Sequence, residues 1–160
     1  MHEIERMLRN ALNSLYQNDK YLICHQNDND EDTHLCERCI AFRFGIYFQA
    51  QLNESDKYKD YNLDCEYNRR INDSKIIPIS ENGIYPDFIL HKRGTNAHNV
   101  LVVELKGWWN SNLCRDEKKI RELINPNGEY GYRKGYVVLF EKHKADLKEV
   151  NFFDSQKSEH

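Results

Sequence analysis

The sequence predicts one α/β domain, a mixed β-sheet with helices on both faces. Three observations carry that expectation. Two apolar runs, 86–91 and 99–107, are rich in Val, Ile, Leu and Phe and are parted by the polar turn Gly94-Thr95-Asn96-Ala97, so they read as neighbouring strands. Helical periodicity flanks them, at about 33–51 and 114–124. A further apolar run, Gly135-Tyr136-Val137-Val138-Leu139-Phe140, follows the second helix and reads as another buried strand.

Length and composition fit that class. A chain of 160 residues has enough material for a real core in a single domain. Charged residues at 31% against 39% hydrophobic make an ordinary soluble balance, and no apolar run approaches the roughly 20 residues of a membrane span. The opening Met1-His2-Glu3-Ile4-Glu5 is acidic and lacks the basic-then-apolar layout of a secretory signal. The expected setting is therefore cytoplasmic, with no membrane partner. Five cysteines, an odd number without an export signal, read as free thiols.

Taken in order, Ile4, Met7, Leu8, Leu12, Leu15 and Tyr16 recur every three or four residues and predict an amphipathic helix over 2–17. Tyr21-Leu22-Ile23-Cys24 reads as a short strand or extended link. Residues 26–32 form an acidic turn whose Asp28-x-Asp30-x-Asp32 spacing matches the start of a calcium loop. Thr33 and Cys39 occupy the positions that need glycine and glutamate, which rules calcium out. Those acids are expected to favour the positive N-terminus of the next helix.

That helix, 33–51, carries Leu35, Cys36, Cys39, Ile40, Phe42, Phe44, Ile46, Tyr47 and Phe48 around most of its circumference and is expected to be buried and central. Cys36 and Cys39 are expected to serve as small buried hydrophobes; a zinc site with Cys24, His25 and His34 lacks a second paired motif. Glu37 is embedded in the same helix and needs either a partner, such as Arg38 or Arg43, or a metal. Residues 61–68 alternate, with Leu63, Cys65 and Tyr67 inward and Asp64, Glu66 and Asn68 outward. The loop 70–85 is placed to cover a site entrance, and 150–153 is placed to add an edge element.

The chemistry gathers at the two strand ends. Asp87 opens the strand 86–92, and beyond the sixteen residues that separate it from Glu104, Glu104 and Lys106 lie two apart near the end of 99–106, on one face. Charges ending apolar strands must solvate each other or bind something. Charge is also distributed unevenly: residues 1–87 carry net −6 and residues 88–144 net +5. The excess, among Lys92, Arg93, Arg115, Lys118, Lys119, Arg121, Arg133 and Lys134, is either an electrostatic footprint for a phosphate backbone or a solvated face.

The Pro86-Asp87 … Glu104-Leu105-Lys106 pattern resembles the PD-(D/E)xK superfamily of phosphodiesterases, which includes many restriction endonucleases and repair nucleases. Together with Asp64-Cys65-Glu66-Tyr67-Asn68-Arg69, it is similar to short, mostly uncharacterised bacterial proteins of that fold, over roughly 33–141. The resemblance implies a restriction endonuclease-like αβββαβ core. The order helix 33–51, strands 61–68, 86–92 and 99–106, helix 114–124 and strand 135–141 matches it independently of the motif.

It further implies a metal-dependent nuclease with Asp87, Glu104 and Lys106 as catalytic residues. Mg²⁺, with Mn²⁺ as a substitute, would be held by Asp87, Glu104 and the carbonyl of Leu105, with Glu37 completing the shell. Lys106 would act on the attacking water and on transition-state charge. Glu66, Arg69, Trp108 and Lys119 are candidates to line the substrate path, with Trp108 and Trp109 able to stack on bases or pack in the core. The implied partner is nucleic acid, DNA ahead of RNA, with a homodimer open. Two other classes stay open: a nuclease fold that binds nucleic acid or protein without cleaving, and a zinc-bound interaction module built on the Cys/His cluster.

Overall fold

Short apolar runs bounded by turn residues become strands, and longer amphipathic ones become helices. The computed structural model describes residues 3–67, 84–110 and 112–152. In chain order they form α1 (Glu3–Asn18), α2 (Lys20–Ile23), β1 (His25–Gln26), β2 (Asp32–Thr33), α3 (Glu37–Asn53), β3 (Asn62–Cys65), β4 (Phe88–His91), β5 (Leu101–Gly107), α4 (Cys114–Ile124), β6 (Lys134–Phe140) and β7 (Ala145–Glu149). Five strands make a sheet in the order β3-β4-β5-β6-β7, so the fold is mixed α/β. β3, β4 and β5 pair antiparallel. Lys134 N–H donates to Val100 O at 3.1 Å and Trp108 N–H to Phe140 O at 2.9 Å, so β5 and β6 run parallel, joined by the crossover helix that a parallel pair requires. No helix among the described residues is long and apolar enough to cross a membrane.

The chain groups into two compact units. One holds the described residues of Met1–Asp60, Leu105–Ser111 and Leu139–Leu147; the other holds those of Tyr61–Glu104, Asn112–Val138 and Lys148–His160. In the first, α1 turns Ile4, Met7, Leu8, Ala11, Leu12 and Leu15 inward and lies against α3. α3 buries only Ile40, Phe44, Phe48 and Leu52, while Phe42 is 67% and Ile46 43% exposed. It is therefore one-faced, not buried all round as expected, because its apolar residues outnumber the positions that face a neighbour. It begins at Glu37, later than expected, since residues 34–36 are not helical.

Three other expectations in this unit change. Residues 20–23 are a helical turn and not a strand. The acidic turn belongs to a β1–β2 hairpin, in which Asn27 Oδ1 accepts from the N–H groups of Asn29 and Glu31, and Asp32 ion-pairs with Lys142 at 2.7 Å. It does not cap α3, whose N-cap is Cys36 with no side-chain cap bond. Cys36 and Cys39 are exposed, not buried.

The second unit has its core between α4 and the sheet, where Ile89, Val102, Ile120, Leu123, Tyr130, Tyr132, Val137 and Val150 form one cluster. Gly135 permits that approach: a Cβ there would stand 2.2 Å from Ile120 Cγ2. β3 is inverted relative to expectation, with Asp64 buried and Cys65 exposed. The last strand is β7, ahead of the expected 150–153; from that segment Val150 N–H donates to Gly135 O at 2.9 Å. Arg69, and the loop 70–85 except for buried Ile84 and exposed Tyr85, lie outside the described residues.

Candidate functional site

Register brings the predicted acids together. Phe88 on β4 stands opposite Val103 on β5, and Ile89 opposite Val102. Carried one residue outward, that register sets Asp87 across from Glu104. Directly opposed residues share a face, so this pair continues the face of Ile89 and Val102, which packs against Ile120 and Leu123 of α4. Asp116 and Lys119 stand one turn earlier on that helix. Strand ends and helix start thus converge on one charged spot at the margin of an apolar core. On the other side, Cys65 of β3 opposes Phe88, and Glu66 N–H donates to Asp87 O at 3.3 Å. Glu66 has φ 49°, the left-handed region that non-glycine residues rarely adopt, and its side chain is exposed as the ladder ends.

Glu104 is only 3% exposed. Lys119 Nζ lies 2.7 Å from its Oε1 and also donates to Tyr85 O at 3.2 Å. The contact with Glu104 is an ion pair between nearly inaccessible Glu104 and mostly buried Lys119. Burial pushes the Glu104 carboxyl up to about 8, the charge of Asp87 pushes the same way, and Lys119 opposes both without cancelling them. Asp116, itself buried, adds a smaller push upward. Burial and the Asp87 charge thus favour the protonated form of Glu104, against the pull of Lys119.

A second polar cluster was not anticipated. Buried Asp64 accepts from His91 Nε2–H at 2.8 Å and from Arg93, whose Nε–H lies 2.9 Å away. Burial pushes this carboxyl up, but the bonds from Arg93 and His91 outweigh it and hold it below its ordinary value. Tyr67 stacks edge-on against His91. The available signal was the pair of polar residues, Asp64 and His91, set within apolar strands.

The other candidates are placed as follows. Leu105, Lys106 and Trp108 belong to the first unit, Lys106 being half-buried two residues beyond Glu104 on β5. Trp108 Nε1–H donates to Ile23 O at 3.0 Å and Lys142 sits over its ring, while Trp109 stacks on His34 at 3.4 Å. Gly107 makes room for that fold-back, since a Cβ there would meet the Trp109 ring at 2.2 Å. Both tryptophans are thus engaged within the protein. Glu37 is the half-buried first residue of α3; Arg43, one of its two expected partners with Arg38, pairs instead with Asp19 at 3.0 Å.

Of the basic cluster, Arg93, Lys119, Arg121 and Lys134 are ion-paired to Asp64, Glu104, Glu117 and Glu149, which weakens the electrostatic footprint. Among the described residues, no three His, Cys, Asp or Glu side chains are grouped to hold a metal ion, which also leaves the zinc module without its ligand set. Asp87 and Glu104 are a carboxylate pair.

No protein-family model matches the chain, and no curated protein matches it.

Proposed function

We propose that this chain is a metal-dependent nuclease of the PD-(D/E)xK, restriction endonuclease-like class, hydrolysing phosphodiester bonds in nucleic acid. The observation that carries the reading is the Asp87–Glu104 pair: two carboxyl groups from adjacent strands, one of them buried, with burial and the Asp87 charge both pushing the Glu104 carboxyl up. That arrangement is costly for an apo protein and is relieved by a bound cation. Two carboxylates suit Mg²⁺, which keeps several waters and uses one or two protein carboxylates. When bound, the ion would neutralise phosphate charge and acidify a water.

The chain's own groups have the remaining roles. Asp87 and Glu104 would hold the ion, with the Leu105 carbonyl as the third oxygen that the resemblance implies. Lys119, which pairs with Glu104, would lie beside the ion and could contact a substrate phosphate. Lys106 would orient the attacking water and stabilise charge on the reacting phosphate. A cytoplasmic setting, where thiols stay reduced, goes with this reading.

The test is cleavage of single- and double-stranded DNA and RNA with Mg²⁺ or Mn²⁺, with a chelator as control. Metal-dependent cleavage supports the proposal. A second reading has its own observation: Lys119 at 2.7 Å partly compensates Glu104 without any ion. On that reading the fold binds nucleic acid and does not cleave it, and binding without cleavage is the outcome that favours it.

A further inference from the structure

Cys36 and Cys39 play no part in the proposed hydrolysis. Cys36 is the N-cap of α3, a helix of 17 residues, with an extended backbone at φ −63° and ψ 144°. Cys39 lies one turn on, so the helix geometry itself points both side chains to the same spot. Their Sγ atoms are 2.8 Å apart and both residues are exposed. Two sulfurs in contact, open to solvent and on one turn need only a small closing movement to reach the roughly 2.05 Å of a disulfide. Among the described residues they are not joined by further His, Cys, Asp or Glu in a metal-holding group.

We propose that Cys36 and Cys39 form a redox-active dithiol that exchanges with low-molecular-weight disulfides and closes to an intrachain disulfide. The two sulfurs have different roles. The contact between the two sulfurs holds the Cys36 thiol below its ordinary value and raises that of Cys39. Cys36 is the attacking sulfur. Its thiolate bonds to one sulfur of RS–SR, the S–S bond breaks, and RS⁻ leaves and takes a proton. Cys39 then loses its proton to solvent and attacks Cys36 Sγ in the mixed disulfide, expelling the second RS⁻. Two protein thiols are oxidised and one disulfide is reduced to two thiols.

The test uses the full chain, reduced and then equilibrated at pH 7 in buffers of reduced and oxidised glutathione, with free thiols alkylated and mapped by mass spectrometry. Two thiols should be lost together, from the peptide holding Cys36 and Cys39, and dithiothreitol should restore them. Cys39→Ser should accumulate a glutathione adduct on Cys36. Cys36→Ser should form an adduct on Cys39 at least ~10-fold more slowly, because that thiol lacks its activating neighbours. Exposed Cys114 in the same wild-type sample is the reference thiol. The proposal is overturned if wild type keeps both thiols in oxidising buffer, if Cys36 reacts no faster than Cys114, or if the reduced protein binds one zinc that Cys36→Ser loses.

Discussion

Lys119 Nζ stands 2.7 Å from Glu104 Oε1, yet burial and the Asp87 charge still hold that carboxyl at about 8. A neighbouring cation usually draws a carboxyl downward; here desolvation of a nearly inaccessible group wins. At Glu104 burial and the Asp87 charge thus outweigh Lys119, and several measurable consequences follow.

The first is a pH dependence of stability. Glu104 titrates near its ordinary 4.5 when unfolded and near 8 when folded. Between these values the folded state keeps a proton that the unfolded state has released, so this group's stabilising contribution is full below 4.5 and is lost as pH rises through about 8. Glu104→Gln should flatten that fall, giving urea midpoints above wild type at pH 8–9 and closer to it at pH 5. An unchanged slope in the variant would remove Glu104 as its source.

Metal binding should show the same group from the other side. Mg²⁺ or Mn²⁺ should raise the melting temperature, since a ligand of the folded state stabilises it. The rise should be larger at pH 8 than at pH 6, because the proton on Glu104 must leave. Asp87→Asn removes the repelling charge, so it should stabilise the metal-free protein while abolishing the metal-induced shift. Differential scanning calorimetry with and without metal reads both effects, and a full metal shift in Asp87→Asn would exclude that residue from the site.

Asp64 works in the opposite direction. Its folded carboxyl titrates below the ordinary value, so its contribution is present above that value and lost as pH falls through the folded one. Asp64→Ala would remove the carboxylate that bonds His91 Nε2 and should cost about 2–3 kcal/mol in denaturant unfolding near pH 7. Arg93 is largely exposed and adds little to that loss. A loss below about 0.5 kcal/mol, the range of ordinary surface substitutions, would show the cluster to be incidental.

The close approach of α4 to the sheet gives a purely steric prediction. Gly135→Ala sets a methyl 2.2 Å from Ile120 Cγ2 and 3.0 Å from Ile124 Cγ2. Overpacking of this kind should cost about 1–3 kcal/mol. Adding Ile120→Val, which trims one methyl from the contact, should recover part of it in a double-mutant cycle. Additive losses would mean that the helix does not press on Gly135.

Much of the framework was legible because hydrophobic period carries it. α4 begins and ends where its periodicity does, and β4, β5 and β6 lie within two residues of their apolar runs. The Asp87–Glu104 pair was legible for the same reason: two strands joined by a short polar turn must pair, and their register follows from the apolar faces. β3 was misread because alternation says which residues share a face but not which face is inside. Asp64 is drawn inward by His91 and Arg93, partners 27 and 29 residues away. On α3 an excess of apolar residues hid which stripe meets α1, so Phe42 and Ile46 were expected inside and lie outside. Lys119 and Asp116 gained their meaning only from the crossover that lays α4 against Ile89 and Val102, a long-range contact that no local pattern records.

The central claim is that Asp87 and Glu104 bind a cation for phosphodiester hydrolysis, and the most direct test is a cleavage rate. Purified wild type with Mg²⁺, offered single- and double-stranded DNA and RNA, should cut at least one substrate and stop when chelator is added. Under the same conditions Glu104→Gln, and Lys106→Ala separately, should each cut at least about a hundredfold more slowly, in the range of lost electrostatic stabilisers. Binding of uncut substrate, measured with Ca²⁺ in place of Mg²⁺, should change far less in Lys106→Ala. Wild type that cleaves none of these substrates, or a Glu104→Gln variant that cleaves as fast as wild type, would contradict the account.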